Sequence, residues 1–453
     1  MEKSGRVASG KEPLLTASPE TPGRGVERAE RSTADSATDA PSPGDRGGMF
    51  RSLRERNYRY YASGQVVSLT GTWMQRAAQD WLVLELSGGS PAALGVAVAL
   101  QFLPTMLFTL YAGVIADRFD KRRMLILVQS GMGLCGVALG LLDVGGVVEL
   151  WQVYALALAL GCFAAFDAPV RQSFVVEMVG AAQLSNAVAL NSMTFNLARI
   201  VGPALAGGLI TVVGTGPVFL INGLSSGAVV LGLFLMDTAR LHRGSVPGGK
   251  RGQLLAGLRY VSGRPELIVI LSLVFCVSTF GMNFENAFAV IARNVFDRDA
   301  AGYGLLITAL AVGTLTGASL AARRAGGRPR LRLVLGGAAA FGVLESVASL
   351  MPSYRTFALA LVPVGIAVMT CTTAANSTVQ LSVDPAVRGR VMGLYMMSFM
   401  GGKPLGGLLS GWLAEVFNGR APLLLGGVGV ALASLIGAGV LARRSAGLPT
   451  GPG

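Results

Sequence analysis

The chain is short of charged residues and of histidine, and these shortages exclude whole classes of protein. Asp, Glu, Lys and Arg make up 14% of the 453 residues, whereas soluble folds carry about 25% charged residues. The single histidine, His242, lies in a polar stretch and is expected at the surface. One histidine cannot build a Ser/His/Asp set or an HExxH motif, and the sequence has no Walker loop. We therefore expect no enzyme activity, no cofactor, no metal site and no ATP hydrolysis by this chain.

Cysteine is also scarce, and its placement excludes two further classes. None of the four cysteines belongs to a CxxC pair or a Cys/His cluster, so neither a zinc site nor a disulfide framework is indicated. Each lies inside an apolar run, where a free thiol acts as a small packing residue. They are Cys135, Cys162, Cys276 and Cys371.

Apolar residues and glycine are abundant instead. Hydrophobic residues make up 52% of the chain, 62 residues are glycine, and the mean hydropathy is +0.55. Small residues let membrane helices pack closely, so this composition is typical of helices in a bilayer. The net charge of +13 is not accompanied by a compact basic fold, and we expect no nucleic-acid partner.

Apolar runs of bilayer length recur twelve times, which predicts an all-α membrane protein with about twelve transmembrane helices in two six-helix halves. The spans are placed at 61–84, 93–116, 124–142, 151–169, 187–212, 217–236, 267–290, 302–322, 331–350, 356–378, 391–415 and 421–442. A basic stretch with aromatics, residues 50–61, is interpreted as an interfacial lead-in to the first span. The predicted organisation is a disordered cytoplasmic tail (1–48), an N-terminal half (49–240), a central cytoplasmic loop (241–265), a C-terminal half (266–445) and a short cytoplasmic tail (446–453).

Basic residues are distributed unequally between the predicted loops. One set of loops carries most of them, while the opposite set carries only Arg293, Arg298, Arg355 and Arg420. Because Lys and Arg are enriched in cytoplasmic loops, this asymmetry predicts a multi-pass protein of the cell membrane with both termini in the cytoplasm.

The two halves share features at a nearly constant offset. Pro203 in the fifth span and Pro404 in the eleventh are 404 − 203 = 201 residues apart. Gly113 and Gly317, near the ends of the second and eighth spans, are 317 − 113 = 204 residues apart. Such offsets favour a duplicated transporter bundle.

The loop after the second span resembles the G-x-x-x-D-R-x-G-R/K-R/K signature of major facilitator transporters. The matching residues are Gly113, Asp117, Arg118, Asp120, Lys121 and Arg122. Asp120 is a departure, because the signature usually has glycine there. The resemblance implies a cluster that latches the cytoplasmic side while the cavity opens outward. The alternative is ordinary cytoplasmic positive charge beside an incidental aspartate.

The fifth span is similar to the antiporter signature G-x8-G-x3-G-P-x2-G-G, with alanine at three of the six positions. The corresponding residues are Ala189, Ala198, Gly202, Pro203, Ala206 and Gly207. In the major facilitator family this motif is linked to export. The alternative is a generic interface of small residues between helices.

Further segments resemble the exporter branch that includes the enterobactin exporter and macrolide-efflux transporters, and the likeness covers most of residues 50–442. The segments are Asn57 to Arg59, Phe166 to Pro169 with Arg171 and Gln172, Phe280 to Phe284, and Arg388 to Gly393. The resemblance implies a monomeric secondary active transporter that works by alternating access, a small-molecule substrate and a coupling proton. The fourth span lacks the buried arginine of the R-x-x-q-G signature of proton antiporters. The residue that this signature uses for proton coupling is therefore absent from the fourth span.

A few polar and charged residues lie within the predicted spans, where a charge costs roughly 2.5–3.5 kcal/mol on insertion scales. The cavity and proton-coupling candidates are Gln75, Arg76, Asp80, Arg199, Asn283, Glu285 and Lys403. Structural alternatives stay open for several of these groups. Arg76 and Asp80 could form an intrahelical pair, and Arg199 could lock helices together.

Two other carboxyl groups lie near the predicted span ends. Asp167 closes the fourth span and could belong to the cytoplasmic latch. Glu345, in the ninth span, could snorkel to the membrane surface.

These features are compatible with two transport functions on this fold and with one function of a different class of protein. The first is export of small amphipathic molecules, such as drugs, siderophores or secondary metabolites, by proton antiport. The second is import or facilitated diffusion of a polar nutrient, which the small residues around Pro203 disfavour. The third is a membrane receptor without transport activity. Neither the substrate nor the coupling ion can be derived from the residues alone.

Overall fold

The computed structural model describes residues 51–242, 253–323, 331–384 and 387–446. The predicted tail 1–48 lies outside these residues, as do positions 243–252 of the central loop and all but the first residue of the predicted tail 446–453. The predictions for those segments therefore stay predictions. Position 446 itself closes the last helix.

Twelve long helices run through the described residues, as the apolar runs predict. They are α1 (Arg56–Leu86), α2 (Pro91–Arg118), α3 (Lys121–Val144), α4 (Leu150–Gly180), α5 (Gln183–Val213), α6 (Thr215–Phe234), α7 (Pro265–Val295), α8 (Ala300–Arg323), α9 (Leu331–Ser349), α10 (Tyr354–Ser382), α11 (Arg388–Val416) and α12 (Ala421–Ala446). A short connecting helix, Gln253–Ser262, lies within the predicted central loop. The prediction of an all-α membrane fold is confirmed.

Ten of these helices are long and apolar enough to cross a bilayer by length and composition, and α1 and α11 are the exceptions among the described helices. In α1, Arg76 and Asp80 stand among buried glutamines. In α11, Lys403 interrupts a run of small residues. The two helices that fall short of the apolar limit therefore include three of the candidate charged residues.

The start of α1 differs from the prediction. A short 3-10 turn, Arg51–Arg54, is followed by α1, which begins at Arg56, five residues before the predicted span. Tyr58 and Tyr61 are 2% and 1% exposed and pack with the neighbouring helix ends. The Tyr58 hydroxyl donates to the Ala187 carbonyl oxygen at 3.0 Å. These two aromatic side chains are therefore buried in protein contacts at the start of α1.

α4 extends past its predicted end at residue 169 and reaches Gly180. Val170, Phe174 and Met178 are buried at a four-residue spacing, so one apolar face continues beyond the length of a bilayer. Gly180 then adopts φ 68° and ψ 174°, a left-handed conformation that favours glycine, and the chain continues directly into α5. A prediction based on bilayer length ends the helix too early because protein contacts extend it.

α7 is irregular along its length. An α-helical segment, Pro265–Cys276, leads into a π-helical turn, Val277–Gly281, before helix resumes at Phe284. The Asn283 side chain donates to the Thr279 carbonyl oxygen at 2.8 Å and so satisfies a backbone group that the break leaves free. Irregular backbone at membrane depth is tolerated where protein or a water-filled cavity surrounds it. This break determines where Glu285, one residue into the next segment, is placed.

The helices pack in two sets with equivalent contacts. In the first set, α1 and α3 pack on α6, and α2 packs on the Leu150–Val213 stretch that contains α4 and α5. In the second set, α8 packs on α10, while α9 packs on α10 and α12. Contacts between the sets run mainly through α2 with α11 and through α5 with α8, which are equivalent pairs under a two-fold exchange of the halves.

The two sets approach each other closely at the end of the bundle where α1 connects to α2, here called the α1–α2 end. A Cβ on Gly95 would lie 2.6 Å from the Gly407 carbonyl oxygen, and one on Gly411 would lie 2.6 Å from the Pro91 carbonyl oxygen. On the equivalent side, a Cβ on Gly304 would lie 2.6 Å from the Pro203 carbonyl oxygen. Backbone approach of this kind is possible only where glycine stands.

Polar contacts reinforce the same end. The Glu415 carboxylate of α11 accepts from the Ser90 hydroxyl at 3.1 Å and from the Ala92 backbone N–H at 3.2 Å. Asn294 donates to the Gly89 carbonyl oxygen at 2.9 Å. These hydrogen bonds join α7 and α11 of the second set to the α1–α2 connection of the first set. The opposite end of the bundle is called the α2–α3 end.

Candidate functional site

Five charged side chains from four helices gather midway between the two sets. They form the central cluster, and they are Arg76 and Asp80 of α1, Arg199 of α5, Glu285 of α7 and Lys403 of α11. Each member interacts electrostatically with at least one other, and Lys403 interacts with all four. Mutual compensation offsets the cost of placing charge at membrane depth. The five residues include every charged residue that the sequence offers as a cavity candidate.

Asp80 links the two sets through a hydrogen bond. Its side chain is buried, and its Oδ2 atom accepts from the Tyr303 hydroxyl of α8 at 2.8 Å. The Trp81 ring stacks on the Tyr303 ring with centroids 6.4 Å apart, and the Arg293 guanidinium lies over Trp81. Among the described residues no ion pair joins Asp80 to Arg76, so the intrahelical pair that their spacing suggests does not form in this conformation.

The guanidinium of Arg76 and the ammonium of Lys403 share an aromatic ring. The Arg76 guanidinium carbon lies 4.8 Å from the Trp73 centroid and 5.6 Å from the Phe102 centroid. The Lys403 Nζ atom lies 5.5 Å from the same Phe102 centroid and donates to the Met282 carbonyl oxygen at 3.1 Å. The aromatic faces stabilise both cations. The Arg76 Nε atom is buried and has no hydrogen-bond partner among the described residues.

Arg199 and Glu285 complete the cluster from opposite sets. The Arg199 guanidinium donates to the Thr314 hydroxyl of α8, which joins α5 to α8. The Glu285 side chain is half-buried, and in the part of the chain that the structure describes it makes no hydrogen bond. Arg199 thus bonds α8 and at the same time interacts with Glu285. It can therefore hold the two helices together and also compensate a negative charge.

The two uncharged candidates bond within their own sets rather than to the charged groups of the central cluster. The Gln75 carbonyl accepts from the Asn222 amide of α6, inside the first set. Asn283 bonds the backbone of α7 and packs against Gly406. Both side chains therefore support helix packing, although Gln75 directly precedes Arg76 in the chain. Adjacent positions on a helix point about 100° apart, which separates the two.

Three residues of the site are not found by sequence reasoning. Phe102, Tyr303 and Thr314 bring the ring and the two hydroxyls that contact the charged groups. A hydroxyl within an apolar span is a weak signal, because Thr and Ser in helices also bond their own backbone, as Thr314 does to Ala311. Only the approach of α8 and α2 identifies these residues.

The small residues of α5 serve close packing on both sides. Ala198 is buried against Leu69 and Trp73 of α1, and a Cβ on Gly202 would lie 2.5 Å from the Trp73 Cβ. Gly207 approaches Ala300 of α8 in the same way. Pro203 contributes the carbonyl oxygen that contacts Gly304, and Ala189 is exposed. These contacts agree with an interface of small residues and give the motif a second role, at the junction of the two sets.

The charged loop after α2 holds helix ends together. Gly113, Asp117 and Arg118 lie in the last turns of α2, and their side chains are outside the described part of the structure. The Lys121 Nζ atom lies 2.7 Å from the Glu177 carboxylate of α4. Arg122 Nε donates to the Leu233 carbonyl oxygen at 2.7 Å and so caps the C-terminus of α6.

A second ion pair lies beside this loop. Asp167 pairs with Arg171 at 3.2 Å and accepts from Gln129 of α3 at 2.8 Å. These contacts place Asp167 in the network of the α2–α3 end rather than in the central cluster.

Asp120, which departs from the signature, has a structural task. Its carboxylate accepts from the Arg123 backbone N–H at 2.9 Å and caps the N-terminus of α3. We expect Asp120→Ala to lower the melting temperature by about 1–2 °C, because loss of such a cap costs about 1 kcal/mol. Asp120→Gly should be nearly neutral, since glycine costs only a few tenths of a kcal/mol at a cap. Thermal unfolding of the purified protein measures both, and a glycine variant less stable than the alanine variant would contradict this assignment.

A bundle of twelve membrane-length helices in two equivalent sets, with compensated charges enclosed between the sets, defines a multi-pass membrane transporter. The chain belongs to the family of transmembrane secretion effectors, a major facilitator family whose model matches residues 48–446. The resemblance noted in the motifs is thereby confirmed, and the protein is a transporter rather than an enzyme.

Individual relatives and a solved structure agree with this assignment. The multidrug efflux pump Tap of Mycobacterium tuberculosis (strain ATCC 25618 / H37Rv) is 27% identical over 369 residues, which are 79% of this chain and 87% of Tap. The enterobactin exporter EntS of Citrobacter koseri is 24% identical over 349 residues, 76% of this chain and 82% of EntS. A bacterial homologue of the human lysosomal transporter Spinster superposes with a TM-score of 0.65 at 17% identity, over 86% of this chain and 96% of that one, which shows the same fold.

Proposed function

We propose that this protein is a secondary active exporter of small amphipathic molecules in the cell membrane, that it couples export to proton entry, and that it works as a monomer. The central cluster carries the proposal, because five charges from both sets meet at the point where alternating access requires a binding site. The names of two relatives, a multidrug efflux pump and an enterobactin exporter, support export rather than uptake.

The orientation follows from charge. Basic residues are concentrated at the α2–α3 end, so this end and both termini face the cytoplasm. Contacts between the sets then close the outer side, and the cluster is reached from the cytoplasm. Rocking of the two sets about the cluster would close the cytoplasmic side, where Lys121, Arg122 and Asp167 belong to the latch of the family. An exporter loads its substrate in the conformation described here.

The substrate class follows from the composition of the cluster. Three cationic groups face two carboxylates, and the rings of Trp73 and Phe102 line the cationic side. A molecule with an aromatic or apolar body and an acidic group would contact the rings and use the free donor on Arg76. Drugs, siderophores and secondary metabolites of this kind are the substrates to test first.

Proton coupling is assigned to Asp80 and Glu285. Glu285 has no hydrogen-bond partner among the described residues, and Asp80 has one, across the junction of the sets. A carboxylate that gains a proton weakens its attraction to Lys403 and Arg76, which alters the balance that holds the sets together. Because α4 lacks the arginine of the proton-antiporter signature, Arg199 of α5 takes the position of the basic partner.

Accumulation of dyes, antibiotics and siderophores in expressing cells, with and without a protonophore, tests this function. We expect the wild type to lower accumulation of at least one acidic amphipathic compound and the protonophore to abolish the effect. Asp80→Asn should lose export at normal protein levels. Asp297→Asn is the matched control, because Asp297 is exposed in the α7–α8 loop and its positive φ of 49° is one that asparagine tolerates.

Two outcomes would overturn parts of the proposal. Raised accumulation in expressing cells would mean uptake, as for a nutrient importer. Lowered accumulation that the protonophore does not change would keep export and remove proton coupling.

A further inference from the structure

A second buried carboxyl group lies outside the central cluster. Glu345 of α9 is 1% exposed, and neither of its carboxyl oxygens has a hydrogen-bond partner among the described residues. Snorkelling to the membrane surface, one interpretation of this residue from sequence, is therefore wrong. A buried polar group without a partner is uncommon in native proteins and requires an explanation.

Glu345 points at the irregular part of α7. A Cβ on Gly281, the last residue of the π-helical turn, would lie 3.2 Å from the Glu345 Oε2 atom and 2.5 Å from the Phe341 ring. Phe341 lies one turn before Glu345 on α9 and packs edge-to-face against Phe284, at 6.0 Å between centroids. The carboxyl group thus sits against bare backbone and aromatic carbon, with no donor supplied by α7.

Neighbouring hydroxyl groups are occupied elsewhere. The Ser346 hydroxyl donates to Gly342 within α9 at 2.9 Å, and the Ser349 hydroxyl donates to the Ser346 carbonyl oxygen at 2.6 Å. The pocket around Glu345 is therefore built without a compensating hydrogen bond from its own helix.

No charged group compensates it either. In the turn before α12, Arg420 approaches α9, but it donates to the Ser349 carbonyl oxygen at 3.4 Å, one turn beyond the carboxyl. On α10, the Cys371 thiol is directed to the Val334 carbonyl oxygen. On α7, Glu285 faces the central cluster. Glu345 is buried and forms no ion pair or hydrogen bond among the described residues, so an ionised carboxylate would stand here without counterion or donor.

The irregular turn connects this pocket to the central cluster. Lys403 donates to the Met282 carbonyl oxygen immediately after Gly281, so the same few residues of α7 touch Glu345 on one side and the cluster on the other. π-helical turns inside membrane helices are frequent at functional sites. A change in the geometry of residues 277–283 would therefore alter the contacts of both Glu345 and Lys403.

We propose that Glu345 is a proton-binding site separate from the central cluster, and that its protonation state sets the geometry of α7 between Val277 and Asn283. With a proton bound, the neutral acid fits between Gly281 and its apolar neighbours, and the π-helical turn packs as described. When the proton leaves to water, the carboxylate needs donors, and α7 must move to admit water or to offer backbone N–H groups. One O–H bond breaks and no other group reacts. The Glu345 site as a proton-binding group is independent of the proposed function. Only its part in proton-coupled export rests on that function.

The test reads the carboxyl group directly, in the full-length protein in lipid nanodiscs. Infrared difference spectra between acidic and alkaline buffer detect the carbonyl stretch of a protonated carboxyl that lacks hydrogen bonds. We expect a band of this kind in the wild type that is lost at alkaline pH and is absent from Glu345→Gln. Asp80→Asn and Glu285→Gln should keep it, because those residues belong to the cluster.

Hydrogen exchange measures the second part of the proposal. Protection of the amides of residues 277–283, corrected for the intrinsic pH dependence of exchange, should fall about tenfold from acidic to alkaline buffer in the wild type, as for a locally opened segment. In Glu345→Gln it should stay constant and high, because glutamine is neutral at every pH. The connecting helix, Gln253–Ser262, is the internal reference.

A band that is missing from the wild type, or one that persists unchanged in Glu345→Gln, would overturn the proposal, as would equal exchange profiles in both proteins. These results are independent of transport. Export that is insensitive to the protonophore would contradict proton coupling and leave the Glu345 site standing. Proton-coupled export without a Glu345 band would contradict the Glu345 site and leave proton coupling standing.

Discussion

Replacing Lys403 with methionine is expected to lower transport about tenfold or more, since a change of about 1.4 kcal/mol in a conformational or binding equilibrium is already a factor of ten. Lys403 interacts with every other charged member of the central cluster. Without it, Asp80 and Glu285 lose a cation of the second set that interacts with both, and the Met282 carbonyl oxygen loses its donor. Uptake or efflux of a labelled substrate in proteoliposomes measures the loss.

The matched variants separate charge from structure. Lys403→Arg keeps the charge and should retain part of the activity, although a planar guanidinium does not reproduce a compact ammonium. Glu285→Gln combined with Lys403→Met removes one charge of each sign and should recover folding stability relative to Lys403→Met alone. Arg355→Met changes an exposed cation at the start of α10 and should be silent. Full activity in Lys403→Met would mean that the cluster is only structural.

Replacing Gly95 with valine is expected to stop transport by preventing closure at the α1–α2 end. The new Cβ would lie 2.6 Å from the Gly407 carbonyl oxygen and 3.1 Å from the Gly411 Cα, and backbone atoms on both sides leave no flexible group to yield. The two sets must then stay apart at this end, so the conformation described here becomes inaccessible. We expect transport to fall about tenfold or more, because a change of about 1.4 kcal/mol in the conformational equilibrium is already a factor of ten.

Accessibility of a single cysteine reports this effect. Val98 is buried beside Gly407 at the junction of α2 and α11. In a background without native cysteines, Val98→Cys should react with a polar maleimide faster when Gly95→Val is present. Gly208→Val is the control, because a Cβ on Gly208 meets nothing within 4 Å. Equal labelling with and without Gly95→Val would contradict the role of this contact.

Much of the fold follows from composition and spacing along the chain. Each bilayer-length apolar run becomes a helix because no water is available at membrane depth to satisfy free backbone groups. The errors lie where protein contacts replace lipid, as in α4, whose buried face at Phe174 and Met178 continues past the span. The break in α7 is also not predicted, because no proline lies near Met282 and a glycine such as Gly281 is common within membrane helices.

For the site, the sequence alone identifies which residues are energetically costly to place in the membrane. It does not show which of them contact one another. Arg76, Asp80, Arg199, Glu285 and Lys403 stand out because charge in hydrocarbon needs compensation. Gln75 and Asn283 stand out by the same argument, yet they bond within their own sets. A side chain's direction on a packed helix depends on its neighbours, which lie far away in sequence.

The sequence by itself determined the class of this protein, its helices and the small number of ionisable groups that it commits to the membrane, because these depend on local composition and on the length of a bilayer. Tertiary structure alone decided the pairings. Asp80 bonds Tyr303, 223 positions away, Arg76 and Lys403 meet on Phe102, and Glu345 is left with no partner. These outcomes depend on how closely glycine-lined helices approach, and that distance is a property of two helices together.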